Sequence, residues 1–222
     1  MSFSTTTKPL SQPTHQRLAT ADKEDISIQL VKLTLKEIIF SARKAIALAT
    51  AAQRLAKQLP INAVKMVEQA AQEEASAIKG TAMLMELAKQ QLARAPITAA
   101  ATTRAAADTT KTIQEAACAL IQAVQSVEVE QKGQKRVIVI KVLAKEAEQN
   151  VQKAERIAKT DFLFTQGLDA TSDAILTVSG AMLAAMEDKN LPSMQEAAKM
   201  TPLAIKAIQT AATALTELLK HL

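Results

Sequence analysis

Residues 28–59 read IQLVKLTLKEIIFSARKAIALATAAQRLAKQL, and this stretch decides the fold. Small and apolar side chains recur in it at alternating spacings of three and four residues. The repeated positions are Ile28, Val31, Leu35, Ile38, Ala42, Ala45, Ala49, Ala52, Ala56 and Leu59. A seven-residue repeat of this length is typical of a long helix packed along other helices. Much of the remaining circumference is apolar as well, so we expect this first helix to lie at the centre of the structure.

The composition agrees with long helices in close contact. The 222 residues include 44 alanines and four phenylalanines, with no tryptophan and no tyrosine. Alanine is the strongest helix former, and its small side chain lets neighbouring helices approach closely. The sequence therefore predicts an all-α bundle of five or six long, alanine-rich amphipathic helices. We assign residues 22–222 to this single domain and residues 1–21, rich in Ser, Thr and Pro, to a disordered tail.

Helix boundaries follow from prolines, glycines and acidic residues. The first helix is expected to begin near residues 22–25 and to end before Pro60. The next helices are predicted at 61–94, 98–131, 134–166 and 168–188, followed by a short helical turn and a longer final helix. Gly80 would mark a weak point in the second helix, and Gly167 would end the fourth. Two β-prone runs, 26–30 and 137–140, leave a small two-stranded element open, but each run continues into a helical repeat.

Residues suited to catalysis are scarce. The chain has two histidines, His15 and His221, each near one end, and one cysteine, Cys118. A zinc or di-iron centre needs several Cys, His or paired Glu-x-x-His ligands at fixed spacing. We therefore expect no enzyme activity, no cofactor and no metal site. Cys118 lies in an alanine-rich helical stretch and is predicted to be a buried thiol.

The paired carboxylates have a simple interpretation. Glu73–Glu74 and the pair Glu146 and Glu148 lie among lysines in predicted helices. Such pairs are predicted to lie on solvated helix faces.

Basic residues line one side of the first helix. The chain carries a net charge of +5. At about 100° per residue, five basic side chains of the first helix fall on one narrow stripe. These residues are Lys32, Lys36, Arg43, Arg54 and Lys57. A basic stripe beside a wide apolar face is typical of a helix that binds an anionic lipid surface. Nucleic-acid binding is disfavoured, because the aromatic residues that stack bases are nearly absent.

The run 174–186 contains no charged residue but is too short to cross a bilayer. We interpret it as part of a buried helix. A translocator or pore-assembly component that exposes this run after a rearrangement remains an alternative.

Two alanine-rich segments match a helix-interaction pattern in part. The first contains Ile113, Ala116, Ala117, Leu120, Val124 and Val127, and the second contains Ile208, Ala211, Ala212, Leu215 and Leu219. The spacing resembles the Leu-x-x-Ala-Ala-x-x-Val-x-x-x-Val-x-x-Leu pattern through which helices of the talin rod bind vinculin. Each match covers under a tenth of the chain, and Glu128 replaces an apolar position of the first. The resemblance implies a protein partner bound through Ile113, Leu120, Val124, Val127, Ile208, Leu215 and Leu219.

The first twenty residues contain two basic groups, no acidic group and many Ser and Thr residues. This composition resembles the N-terminal secretion signals of bacterial type III effectors and lacks the apolar core of a cleavable signal peptide. The sequence thus predicts a non-catalytic protein that acts through helix-face contacts with a partner or by self-assembly. A cytoplasmic location is expected, with secretion from a bacterium as an effector implied by the leader. The alternative function is binding to membrane surfaces.

Overall fold

The structure is a computed structural model that describes residues 14–127, 135–158, 164–187 and 189–220. These residues form six long helices and one short helix, with no strand among them. The helices are α1 (Thr14–Leu55), α2 (Pro60–Leu92), α3 (Pro96–Ser126), α4 (Lys135–Ala158), α5 (Phe164–Glu187), α6 (Leu191–Ala198) and α7 (Thr201–Leu219). The predicted all-α bundle is confirmed, and both β-prone runs lie within helices.

Several helix boundaries differ from the prediction. Helix α1 begins at Thr14, inside the segment assigned to the tail, and residues 1–13 lie outside the described residues. Gly167 lies in the first turn of α5 and does not end α4, because α4 already ends at Ala158. A Cβ atom added at Gly167 would lie 3.3 Å from Cγ2 of Ile157. This glycine therefore permits a close contact between α4 and α5 and is not a helix terminator.

Four helices form a closed ring. Helix α2 packs against α3, α3 against α7, α7 against α5, and α5 again against α2. Helix α1 packs on the outside of this ring against α2 and α3, and α4 packs on the opposite edge against α5 and α7. The short helix α6 contacts α3, α4 and α5. The core lies inside the ring and beneath the two edge helices.

The prediction that the first helix lies at the centre is wrong. The repeat, which extends just past the end of α1, is buried from Ile38 to Ala56, but Ile28 and Leu59 at its two ends are exposed. Leu33 and Phe40, on the side of α1 away from the core, are also exposed. A seven-residue repeat identifies one buried face, but it does not say whether the other apolar residues have neighbours. Here Leu48 and Leu55 pack against the core while Leu33 and Phe40 remain exposed, and α2 takes the central place.

Glycine 80 marks a close approach of α1 to α2. Helix α2 continues unbroken through this position, so the expected weak point is absent. A Cβ atom added at Gly80 would lie 2.5 Å from Cγ1 of Ile38, a fully buried residue. Only a residue without a side chain fits at this contact.

Threonine and glutamine side chains satisfy their hydrogen bonds within or between the helices. The hydroxyl of Thr103, buried in α3, donates to the carbonyl of Ala99 at 2.9 Å. The amide of Gln91 on α2 donates to Ser27 on α1, and its oxygen accepts from the hydroxyl of Thr102 on α3 at 2.9 Å. Gln91 therefore joins three helices, and the front of α3 presents the smooth alanine and threonine surface that the sequence predicts.

The Gly80→Ala variant is expected to lower the free energy of unfolding by about 1–3 kcal/mol, the usual cost of overpacking a core. The added methyl group meets Cγ1 in the stem of Ile38, a side chain that is 1% exposed and packed in the core, so the contact is relieved only if the two helices shift. Urea denaturation followed by circular dichroism measures this change.

Gly180→Ala is the matched control. Gly180 is exposed on α5, and an added Cβ would have no neighbour within 4 Å. Alanine favours the helix by roughly 0.5–1 kcal/mol, so this variant should be more stable than the wild type. A Gly80→Ala variant as stable as Gly180→Ala would contradict the close approach of α1 and α2.

Candidate binding surface

The basic stripe predicted on the first helix is present and faces the solvent. Its five members are all exposed: Lys32, Lys36, Arg43, Arg54 and Lys57. None of them forms an ion pair with another residue that the structure describes. The segment 27–59 carries six basic residues and one acid, Glu37, whereas the rest of the chain carries 21 basic and 21 acidic residues. The segment 27–59 therefore has a net charge of +5, equal to that of the whole protein.

Large apolar side chains are exposed next to the basic stripe. We define the apolar strip as Leu30, Leu33 and Phe40 of α1 together with Met83 of α2. Phe40 is 67% exposed, Leu33 is 55% exposed and Met83 is 52% exposed. At about 100° per residue, Leu33 and Phe40 lie roughly 60° around α1 from Lys36 and Arg43. Apolar and basic groups thus share the outer side of one helix.

A groove of about 370 Å³ runs between α1 and α2 at this strip. It is lined by Thr34, Glu37, Ile38, Phe40, Ser41, Ser76, Lys79, Gly80 and Met83. Phe40 and Met83 supply its exposed apolar side chains, and Lys79 adds one positive charge. The close approach of Ile38 to Gly80 lies in the same groove. We call this feature the α1–α2 groove.

The residues predicted to bind a partner lie mostly inside the bundle. Six of the seven are buried, namely Ile113, Leu120, Val124, Val127, Ile208 and Leu215, and Leu219 is half-buried against the same core. Helices α3 and α7 pack against each other, which buries both segments. The folded protein therefore does not present these side chains to a partner. An alanine-rich pattern with larger residues at i, i+4 and i+7 suits a core as well as an external contact.

Cysteine 118 is exposed, so the predicted buried thiol is wrong. Its sulfur lies 3.5 Å from the side-chain nitrogen of Gln114. The charged residues Arg104, Asp108, Lys111 and Glu115 recur at alternating spacings of four and three residues, and the next step of three leads to position 118. That pattern places Cys118 on the solvent side of α3. The spacing of these charged residues could have predicted its exposure, but the alanine-rich surroundings suggested burial.

Glutamate 74 is buried, although the sequence placed it on a solvated face. It lies on α2, fully enclosed, and its Oε1 atom accepts a hydrogen bond from the hydroxyl of Thr201 at 2.8 Å. Burial raises the pKa of Glu74 to about 8, and the hydrogen bond from Thr201 opposes this rise. Its neighbour Glu73 is partly exposed and pairs with Lys44 at 2.6 Å. Two consecutive residues therefore differ in protonation: Glu73 is a surface carboxylate, whereas Glu74 keeps its proton at neutral pH.

Glutamate 74 has a polar but incomplete environment. Its Oε2 atom and the hydroxyl of Ser193 on α6 are buried without a hydrogen-bond partner among the described residues. Nearby in the chain, the backbone carbonyl of Ala75 accepts from Ser179 on α5 at 3.0 Å. Side chains from α2, α5 and α7 therefore place polar atoms within the ring, where each one must find a partner or remain destabilising.

A second groove, of about 520 Å³, lies between α4 and α7. It is lined by Glu155, Lys206, Gln209, Thr210, Thr213, Ala214 and Glu217. Lys206 and Glu155 form an ion pair across it at 2.7 Å. The groove has no large apolar side chain to anchor a ligand, so it is a weaker candidate than the α1–α2 groove.

Two further sequence-based expectations concern membrane spans and metal sites. The described part of run 174–186 belongs to α5, which packs against α2, α4 and α7. None of the helices, within the described residues, is long and apolar enough to span a membrane. Across the same part of the chain, His, Cys, Asp and Glu side chains nowhere gather in the groups of three or more that could hold a metal ion.

No protein-family model, curated protein or solved structure matches this chain. The resemblance to talin rod helices therefore rests on the sequence pattern alone.

The buried position of Glu74 predicts a pH-dependent stability. The unfolded carboxyl group loses its proton near pH 4.5, whereas the folded one keeps it up to about pH 8. Between these values the native state binds more protons than the unfolded state, so the free energy of unfolding must fall as the pH rises. The slope approaches about 1.4 kcal/mol per pH unit. Urea denaturation at several pH values between 5 and 8 measures it.

Glu74→Gln is expected to remove this slope, because glutamine does not titrate. Glu73→Gln, one residue away on the surface, is the matched control and should keep it. Equal slopes in the wild type and the Glu74→Gln variant would show that Glu74 does not titrate in the way its burial implies.

Proposed function

We propose that this protein is a non-catalytic binding protein that recognises another protein through the outer side of α1 and the α1–α2 groove. The observation that supports this proposal is the exposure of Phe40 and Met83 on the same groove. Burying a side chain of this size is favourable by about 1.5–3 kcal/mol of transfer free energy, so a partner that covers both residues would be stabilised on this surface. Aromatic residues in such positions often supply most of the binding energy of an interface.

The position of α1 also favours a binding role. An edge helix keeps one long side free, while α2 and α3 hold the other side in place. The partner would therefore meet a rigid surface that is already in its binding conformation, which reduces the entropy cost of association.

Charge argues against self-assembly through this surface. Two copies related by a two-fold axis would place the same patch against itself. Each patch carries the basic stripe, and like charges brought together across an interface are destabilising. The proposal is therefore a contact with a different protein.

A second candidate is binding to an anionic membrane surface. The observation that favours it is that the five stripe residues are exposed and free of ion pairs within the described residues. Apolar side chains beside basic ones could enter the boundary between headgroups and acyl chains. The lack of Trp and Tyr, the residues most common at that boundary, weighs against this candidate.

A finer part of the proposal concerns export from a bacterium as a secreted effector. It rests on the composition of residues 1–20, of which 14–20 belong to α1. Residues 1–20 fused to a reporter enzyme should be exported by a strain with a type III secretion system and retained by a secretion-deficient strain. Retention by both strains would remove the support for an effector.

Photocrosslinking tests the proposed surface. We expect the Phe40→p-benzoylphenylalanine variant to crosslink to a partner protein in the producing cell or in lysates of candidate host cells. The probe replaces an exposed aromatic ring by another at the predicted contact, so the surface should remain intact. Gel shifts and mass spectrometry identify the adduct.

Val142→p-benzoylphenylalanine is the matched control, because Val142 is 62% exposed on α4 at the opposite edge of the bundle. Equal crosslinking at positions 40 and 142 would indicate chance encounters and would refute the surface on α1.

A further inference from the structure

The geometry points to an acidic amphipathic α-helix as the element that binds in the α1–α2 groove. In this assignment the apolar side chains of the partner helix contact Phe40 and Met83, and its carboxylates lie beside Lys36 and Arg43. The inference rests on the proposed function and adds the chemistry and shape of the partner.

The shape of the groove fits a helix. Two helices in lengthwise contact leave a groove on each side, and a third helix packs into such a groove at a distance of 8–10 Å. Helix α3 already fills one side of the α1–α2 pair, where the side chain of Gln53 donates to the carbonyl of Ala119 at 3.2 Å. Glu37, which lines the groove, lies about 160° around α1 from Gln53. The groove is therefore the open counterpart of the side that α3 covers.

The charges select an acidic partner. Lys36 and Arg43 are exposed next to the apolar strip, and Lys79 lines the groove from α2. The only acid of the segment 27–59 is Glu37. A helix with carboxylates along one flank would pair with these groups, whereas a basic helix would be repelled. Positive charge also speeds the approach of an acidic partner.

A flat bilayer fits this site less well than a helix. The groove is concave, and polar side chains of Thr34, Ser41 and Ser76 line it beside the apolar ones. A flat lipid surface would contact only the rims of such a groove. A helix can meet both kinds of side chain, because its own surface alternates between apolar and polar residues.

Two synthetic peptides test the assignment. Each is a helix of about 21 residues, long enough to follow α1 past Leu30, Phe40 and Lys44 at 1.5 Å per residue. Both carry leucine at the a and d positions of each heptad. The first has glutamate and the second has lysine at the e and g positions. Fluorescence anisotropy of the labelled peptides with the full-length protein gives the affinities.

The glutamate peptide should bind at least about tenfold more tightly than the lysine peptide, a difference expected from several charge pairs. Its affinity should fall when the NaCl concentration is raised, because salt screens exposed charges. Phe40→Ala and Met83→Ala should each weaken binding about tenfold, as expected for anchor residues. The double variant Lys36→Glu, Arg43→Glu should reverse the preference in favour of the lysine peptide.

Lys153→Glu is the matched control for charge, since Lys153 is exposed on α4 at the opposite edge. It should leave both affinities unchanged. Circular dichroism of every variant checks that the helical content is retained. We expect it to be retained, because the substituted side chains lie on the surfaces of α1, α2 and α4 and Met83 is exposed.

Three outcomes would overturn the assignment. Equal affinities for the two peptides would show that charge does not select the partner. No binding of either peptide would exclude an acidic helix, while crosslinking at position 40 would still support a protein partner of another kind. Sedimentation with phosphatidylserine vesicles that is lost in the Phe40→Glu variant, without peptide binding, would identify a bilayer instead. Absence of crosslinking at position 40 would refute the proposed function itself.

Discussion

The whole structure depends on the close contact that small side chains allow between helices. At Gly80 this contact is so tight that even one methyl group would meet Ile38. Along α1 the buried repeat between Ala42 and Ala56 consists of alanines, each of which contributes little buried area. Stability is therefore distributed over long contacts and not concentrated in a few large residues. This arrangement requires long, nearly continuous helices, and it leaves Leu33 and Phe40 of α1 outside the core.

The helices and several of their buried faces could be predicted from the sequence, whereas the neighbours of individual residues could not. The alanine repeat of α1 and the smooth front of α3 were evident, because small residues at helical spacing indicate a buried face. The location of α1 at the edge was not evident, because Phe40 and Ile38 are equally apolar and only the neighbours decide which is covered. Glu74 and Cys118 show the same limit. A carboxyl group on a helix that carries several charged residues is predicted to be solvated, and only the packing of helices distant in sequence shows that it is enclosed.

Some features of the candidate surface could be predicted from the sequence of α1, and others depend on how α1 packs in the fold. The basic stripe can be predicted directly from residues 28–59. The α1–α2 groove, by contrast, forms only through tertiary packing, which no local sequence pattern reveals. The charged groups of the basic stripe remain in contact with water, so folding imposes little desolvation cost on them. Glu74, by contrast, lies where water is excluded and accepts a proton to avoid an isolated charge. The same bundle therefore separates a solvated positive edge from a neutral polar centre.

The ring of helices also has a consequence for the order of folding. Helices α1, α2 and α3 follow one another along the chain with short connections, and the side-chain hydrogen bonds between them join residues up to 66 positions apart. The hydrogen bond between Ser179 and Ala75 joins residues 104 positions apart. Contacts of such separation require a large loss of chain entropy before they stabilise anything, and they form slowly. We therefore expect the first three helices to assemble early and the ring to close last, with the outer side of α1 complete before the rest of the protein.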